Sequence, residues 1–504
     1  MVLLERSIKK GMRVIIGIAL MFTQMTVKVF SQSFEFIYTT ANHEVINDAV
    51  EDSNGNFYFA GIQGIYSTFP NGMYSGLVIK INEQGDTIST FLKTSVDSIF
   101  YLNNVVLVGD SSVLITGTVF NSTISESQVL YLRLDTALNL IEEKIIGNPI
   151  KYEVAQNLKL SKQNQLLISG FANTNTDNEI FLYRLSLAGD SLQSFYLGDS
   201  LYSEQGFDIL ELPDNSGFLL FTLGWSFHLT NPVPAANDIV KLDSTGIVDT
   251  VVYIPNSAFI STAKWLSDTA FVVHNGGYNP FASSFNYDLR LSKFDINFNL
   301  LADTLMGTID TNDAESRGLD FIDPDKIFMG GTTNYTGSYF SPDPAYFYLI
   351  QLDNNIVPRW QKFIGHNDDY LTLYKVLATK DGGVLLIGTK YNDLSSGANE
   401  SDIYAIKLDS LGNFITSTDN LNFTTVSDVL VFPNPAAYTV TIKSAVQFNA
   451  QKISLINAKG KVCLEKQVSY STSIDIGSLS SGLYFYKIEN DKGENRNGKI
   501  LITH

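Results

Sequence analysis

The chain is poor in the residues that would carry several common architectures. It has one cysteine, Cys463, in 504 residues, so no disulfide can form within it. Its five histidines, His43, His228, His274, His366 and His504, form no HExxH or HxH pair, whereas a zinc centre draws on clustered His and Cys ligands. Basic residues are the minority. Lys and Arg number 34 against 52 Asp and Glu, a net charge of −18, which argues against nucleic acid as a partner. No GxSxG elbow and no phosphate-cradling glycine loop occurs. Capped stretches of helical period are missing too. No cofactor and no metal are expected, and no catalytic residue can be named from a motif.

What is present is apolar substance, 44% of the chain, enough to build cores and to exclude wholesale disorder. The length allows two to four ordinary domains, or one repeat array with an extra domain.

The first residues read as an address. Arg6, Lys9, Lys10 and Arg13 precede an apolar stretch from Val14 to Val27, and Val29 and Ser31 are small residues before a cleavage between Ser31 and Gln32. That is the order of a secretory signal, residues 1–31. The stretch falls short of the roughly 20 apolar residues of a membrane span. No later segment is long and apolar enough to span a bilayer, so the mature chain is expected to have no transmembrane segment.

The middle repeats itself. A turn phrase recurs with landmarks Asn82, Asp135, Ser186, Asp243, Asp295, Asp353 and Asp409, at spacings between 51 and 58 residues. An apolar run closed near a glycine precedes each, marked by Gly61, Gly117, Gly170, Gly224, Gly276, Gly330 and Gly388. Continuous apolarity predicts a strand covered on both faces. A terminal glycine permits close backbone approach, and Asp at a strand end starts a turn by bonding the backbone ahead of it. Four short strands in about 50 residues match one propeller blade, which must stack on neighbours to bury its faces. The expected fold is all-β, a seven-bladed β-propeller over residues 32–418, with a linear β-solenoid as the other arrangement. Phe34–Thr39 and Phe414–Thr418 compete for the last strand of the final blade.

Beyond a polar link at 419–427 the charge reverses. Residues 428–504 carry nine Lys or Arg and six Asp or Glu, and residues 1–31 carry a net +4, leaving −25 on the middle. Alternating segments between turns predict a small antiparallel β-sandwich, immunoglobulin-like in size, with Cys463 as a small core residue. Its phrases are VFPNPAA (Val431–Ala437), ISLINAKGKVC (Ile453–Cys463), IDIGSLSSGLYFYKI (Ile474–Ile488) and GKILI (Gly498–Ile502). In these the tail resembles the type A C-terminal sorting domain of the Bacteroidetes type IX secretion system. By position Pro433, Asn434, Pro435, Gly460, Lys461, Gly482, Tyr484 and Lys499 match the family's pattern, and Phe432 stands where an aromatic Tyr is usual. The resemblance implies export through the periplasm. Residues 428–504 would then be recognised by the type IX translocon and sortase machinery, for release or surface attachment.

Chemistry-bearing candidates in the middle are few. His274 stands beside the glycine of the fifth unit, either in a central channel or as an interior histidine. Asp52-Ser53-Asn54-Gly55-Asn56 has a partial calcium-loop look, but a full loop needs more oxygen ligands, and a hairpin turn explains it. His366, Asp368 and Asp369 form a local cluster that reads as a solvated turn. Aromatic-rich insertions at Tyr66–Tyr74, Gly224–Pro234, Gly277–Tyr287 and Asn334–Tyr348 are expected on one face, where they suit a glycan or protein ligand or pack on neighbouring blades. Asp-Ser/Thr pairs at positions such as Asp86, Asp190 and Asp409 are similar to the O-glycosylation sequon of exported Bacteroidetes proteins, and turn chemistry explains much of their excess. The expected function is a secreted or surface binding and adhesion module for glycan or protein. The alternatives are an extracellular propeller hydrolase or lyase, or a structural surface protein. An acidic pair with a raised pKa in the channel would favour the enzyme, and a bare apolar channel the binding module.

Overall fold

The computed structural model describes residues 33–64, 74–121, 126–173, 178–198, 204–224, 236–278, 287–308, 313–335, 344–365, 370–391, 401–414, 429–432, 436, 438–444, 449–457, 459–469, 471–493 and 495–502. Among them there is no helix, and strands follow one another in small antiparallel meanders. The fold is all-β and propeller-like.

Ahead of the tail, the described residues form five sheets of four strands each. The first comprises His43–Glu51, Phe57–Gly64, Tyr74–Ile81 and Thr87–Lys93; the next begins at Ser98–Val108, and the others at Tyr152–Leu160, Glu204–Glu211 and Ser257–Ser267. An eight-stranded sheet completes the set. One half runs from Ala314–Asp320 to Pro358–Ile364, the other from Tyr370–Ala378 to Ser401–Leu408, and a single parallel pair, Arg317 with Lys375, joins them. Its last place is taken by Phe34–Tyr38, which pairs antiparallel with Ser401–Leu408, Phe34 opposite Lys407. The N-terminal strand therefore wins that position; Phe414 packs on the nearby core outside any strand, and residues 415–418 lie outside the described set.

The periodicity of burial follows the sequence pattern. The apolar runs at Phe57–Gly64 and Leu166–Asn173 are buried almost throughout, while the fourth strand Thr87–Lys93 alternates with its exposed face outward. The large core clusters ahead of the tail each join two successive sheets. Tyr58 and Val78 meet Leu102 and Leu130, for example, and Phe59 and Leu77 of the first sheet meet Leu385 and Ile403 of the last. The sheets thus close a circuit in which each buries its faces against both neighbours.

Two sequence signals have clear structural causes. Every turn landmark accepts two backbone amides, from the residues two and four ahead. Asp135 takes Ala137 and Asn139 at 2.9 and 2.8 Å, and Asn82 and Ser186 do the same with an amide oxygen and a hydroxyl. The glycines answer a bulge. The first strand of each sheet carries a register shift, as between Ile46 and Asp48 or Leu102 and Asn104, which pushes a carbonyl toward the second strand. A Cβ at Gly61 or Gly117 would overlap Val45 O or Tyr101 O. In the fourth unit the landmark is displaced, because Thr222 stands opposite the bulge and the glycine has moved to its partner, Gly206. In the fifth, Gly276 pairs with Ala258, one residue beyond Asn275.

The tail forms two sheets around one core. Val429–Phe432, Thr439–Ser444 and Ser471–Asp475 make three strands. Val462–Gln467, Ala450–Asn457, Gly482–Asn490 and Asn495–Ile502 make four. Val440, Ile442 and Ile474 from one share a cluster with Ile453, Leu455, Ile488 and Ile500 from the other. Cys463 is half-buried at the edge of that core.

Candidate functional site

The bulges that explain the glycines also build the site. A bulge re-aims the side chain it inserts, and here the inserted or adjoining residue of every first strand faces one cavity of about 280 Å³. Asn47 and Asp48 come from His43–Glu51, Asn103 from Ser98–Val108, Gln156 and Lys159 from Tyr152–Leu160, and Asp208 from Glu204–Glu211. Ser261 comes from Ser257–Ser267, Arg317 from Ala314–Asp320, and Tyr374 and Lys375 from Tyr370–Ala378. The cavity is therefore the central channel of the circuit.

Its walls are laced from sheet to sheet. Side-chain amides donate to the next sheet's backbone: Asn47 Nδ2 to Leu102 O at 3.0 Å, Asn103 Nδ2 to Ala155 O at 2.7 Å, and Asn157 Nδ2 to Phe207 O at 3.1 Å. Carboxylates accept from it: Asp48 from Val105 N at 3.1 Å, Asp208 from Ala263 N at 2.7 Å, and Asp320 from Ala378 N at 2.9 Å. Each of these acids also meets a lysine. Lys375 lies 2.9 Å from Asp48, Lys159 lies 2.6 Å from Asp208, and Lys264 pairs with Asp320. Such charge-assisted contacts in a partly dry site hold their partners firmly.

Arg317 spans the channel. Its guanidinium donates to the bulge carbonyls of Asn47, at 3.2 Å, Asn103 and Gln156, which belong to three different sheets on the far side. Burial pulls its pKa below the usual arginine value, against the pull of Asp48 and Asp208. Burial likewise lowers Lys159, opposed by Asp208 and reinforced by the like charges of Lys264 and Lys375.

The residues singled out from sequence fall elsewhere. His274 is fully buried between two sheets, with Nδ1 2.9 Å from Arg290 O and Nε2 3.2 Å from Gly330 O; burial lowers its pKa to about 4. It is an interior histidine, outside the channel lining. Asp52 accepts Asn54 N and Asn56 N at 2.8 and 2.9 Å, the geometry of a hairpin turn. His228, His366, Asp368 and Asp369 lie outside the described residues, as do Ser31, Gln32, Pro433, Asn434 and Pro435 and most of the aromatic insertions. In the tail, Gly460 has φ +79° in a turn closed by Asn457, which accepts Lys459 N and Lys461 N. Tyr484 donates to Ser480 O at 3.0 Å beside Gly482, and Lys499 stands opposite Phe485. Among the described residues no group of three or more His, Cys, Asp or Glu is placed to hold a metal ion.

The channel is neither an acidic dyad nor an apolar tube. A crowded acid does occur away from it: Asp313 is fully buried, and burial, then the nearby Asp288 carboxylate, push its pKa well up. Thr308 N and Oγ1 and Asn334 N already bond it, so it serves as a loop anchor. The signal for the channel was in the sequence as polar doublets interrupting the first strands, Asn47-Asp48, Asn103-Asn104 and Gln156-Asn157.

A second buried acid lies at the seam where the first and last sheets meet. Glu44 is fully buried, accepts from Thr40 Oγ1 and from Gln63 Nε2 at 3.3 Å, and faces Asp402. Ser401, buried beside it, has Oγ 2.5 Å from His43 Nδ1. Burial drives Glu44 up to about 7, with Asp402 adding to the rise and the Thr40 bond resisting it. Because the folded value lies above the unfolded one near 4.5, the native state loses stability as pH rises from about 4.5 to 7, and the loss is complete above that. Glu44→Gln is therefore expected to raise the unfolding free energy by about 3 kcal/mol at pH 8 and to leave it unchanged at pH 4. Denaturant titrations of both proteins at the two pH values check this, and an equal effect at both would refute it.

Residues 430–503 match the family described as the Secretion system C-terminal sorting domain. No curated protein matches the chain. Among solved structures it is similar to the extracellular domain of a putative one-component system from B. thetaiotaomicron, at 12% identity and TM-score 0.39, over 92% of this chain and 56% of that one. The chain thus spans little more than half of that structure's length. It is also similar to the GH93 alpha-L-arabinofuranosidase of Fusarium graminearum, at 12% identity and TM-score 0.42, over 76% and 98% of the two chains. A polysaccharide lyase aligns at 8% identity and TM-score 0.42, over 72% and 90%. The tail is a type IX sorting domain, and the protein that carries it is secreted or placed at the cell surface. Among the described residues no helix is long and apolar enough to cross a membrane.

Proposed function

We propose that a signal peptide, residues 1–31, and a sorting domain, residues 428–504, deliver a seven-bladed β-propeller, residues 32–418, to the cell exterior, where it acts as a binding and adhesion module for glycan or protein. Residues 419–427 are the linker, and the sorting domain is an immunoglobulin-like β-sandwich engaged by the type IX translocon and sortase machinery. One observation carries the binding reading: the channel offers amides, hydroxyls and charge from the first strands, yet the two carboxylates of its lining, Asp48 and Asp208, are each committed to a lysine and a backbone amide. A glycosidase needs one carboxyl free to donate a proton and another free to attack or activate water. Carboxylates that tie sheets together suit recognition without turnover.

The test is a screen of the full exported protein against glycan and host-protein arrays, with product analysis on the same polysaccharides. Saturable binding without cleavage is expected. Cleavage of a polysaccharide without retention would establish the hydrolase or lyase alternative.

A further inference from the structure

The channel pocket has the opposite sign from the molecule around it. Its lining contains two carboxylates, Asp48 and Asp208, and three cations, Lys159, Arg317 and Lys375. That is a balance of +1 inside a chain of net −18. We propose that the pocket binds the negatively charged group, carboxylate or sulfate, of an acidic sugar residue. The inference rests on the binding reading above and names the class of ligand for it.

The three cations contribute differently. Arg317 is held in place by three of its five N–H groups, which bond carbonyls, so its main contribution is a fixed positive field. Lys159 bonds Asp208 and also Ala263 O at 3.1 Å. Lys375 is paired with Asp48 through one contact, and an ammonium has three N–H donors. Lys375 is the group best able to turn a donor toward a ligand. Its charge and that of Lys159 oppose one another, a cost that an anion between them would relieve. Charges act more strongly here than in water because the surrounding sheets lower the local dielectric and focus the field.

The neutral part of the lining fits the rest of a sugar. Asn103, Gln156 and Ser261 provide amide and hydroxyl groups in the same lining, which match ring hydroxyls. The volume of about 280 Å³ lies just below the roughly 300–1,000 Å³ range of small-molecule sites. It suits one sugar residue with its acid group, as a single unit or a chain terminus.

The experiment is calorimetric titration of the full-length protein with glucuronate, galactose 6-sulfate and glucose. Either acidic sugar is expected to bind at least about tenfold more tightly than glucose, and comparing the first two identifies the carboxylate or the sulfate as the source. Gln156→Glu changes the lining charge from +1 to 0 at constant shape. It is expected to lower the ratio of acidic-sugar affinity to glucose affinity at least about tenfold. Lys375→Met should act in the same direction, and the isosteric Gln156 variant covers the case in which Lys375→Met fails to fold. Equal affinity for glucose and glucuronate, or no effect of Gln156→Glu, overturns the charge assignment. If the screen finds a neutral ligand in this pocket, the assignment falls while the binding reading stands. If neither screen nor titration finds a ligand, both fall.

Discussion

Deletion of residues 428–504 is expected to trap the protein in the periplasm, with none detectable at the cell surface or in the medium. The match to the sorting-domain family covers residues 430–503, almost all of the deleted segment. The segment folds around its own core, in which Val440 and Ile474 of one sheet meet Ile453 and Ile500 of the other. Its turns are closed by its own residues, Asn457 over Lys459 and Lys461, and Ser480 under Tyr484. Removing it therefore takes away the export address without cutting into the cores between the preceding sheets. Fractionation with surface protease accessibility reads the outcome. Retention should be complete rather than partial, since an absent recognition element leaves the translocon nothing to bind. Normal surface display of the truncated chain would overturn the sorting assignment. A periplasmic product that is also unfolded would point to the channel domain instead, so circular dichroism of the trapped protein accompanies the assay.

Arg317→Met is expected to cost about 3–5 kcal/mol of unfolding free energy, the largest loss from any single substitution in the channel. Methionine roughly preserves the length of the side chain while removing the charge and every donor. The carbonyls of Asn47, Asn103 and Gln156 would then lose the donor they share. Each orphaned carbonyl costs about 1–3 kcal/mol where water cannot replace the bond. Asp48 and Asp208 also lose a cation that balances them. Arg317→Lys should recover only part of the loss, since an ammonium cannot present the planar fork that reaches three sheets at once. Denaturant unfolding of the full chain, followed by tryptophan fluorescence, measures both variants. A methionine variant within about 0.5 kcal/mol of the parent would show that Arg317 is a bystander.

The cause of each structural feature explains how far it could be read in advance. The turn landmarks were legible because Asp135 or Asp409 bonds amides two and four residues ahead, an interaction contained in the phrase itself. The glycine landmarks were legible in most units and misplaced in the fourth and fifth. There the carbonyl that demands a missing Cβ comes from the neighbouring strand, and either strand can supply the glycine, as Gly206 does opposite Thr222. His274 could be weighed but not placed, because a histidine in an apolar run looks the same whether it faces a channel or two carbonyls. The place of Phe34–Tyr38 was open between two candidates, since its partner Ser401–Leu408 lies at the other end of the array.

The sequence by itself determined the all-β character, the repeating turn and strand pattern, and the sorting address, all of which rest on contacts within short windows or on motifs read in order. Only the tertiary structure decided what the channel contains. Arg317 meets carbonyls 270, 214 and 161 residues away, and Asp48 meets a lysine brought round from the last sheet. Chain closure makes those groups neighbours, and a bulge in each first strand turns them inward. The bulges leave a periodic trace in the glycines and the polar doublets, but chain closure leaves none, so the charge of the pocket emerges only once the circuit is complete.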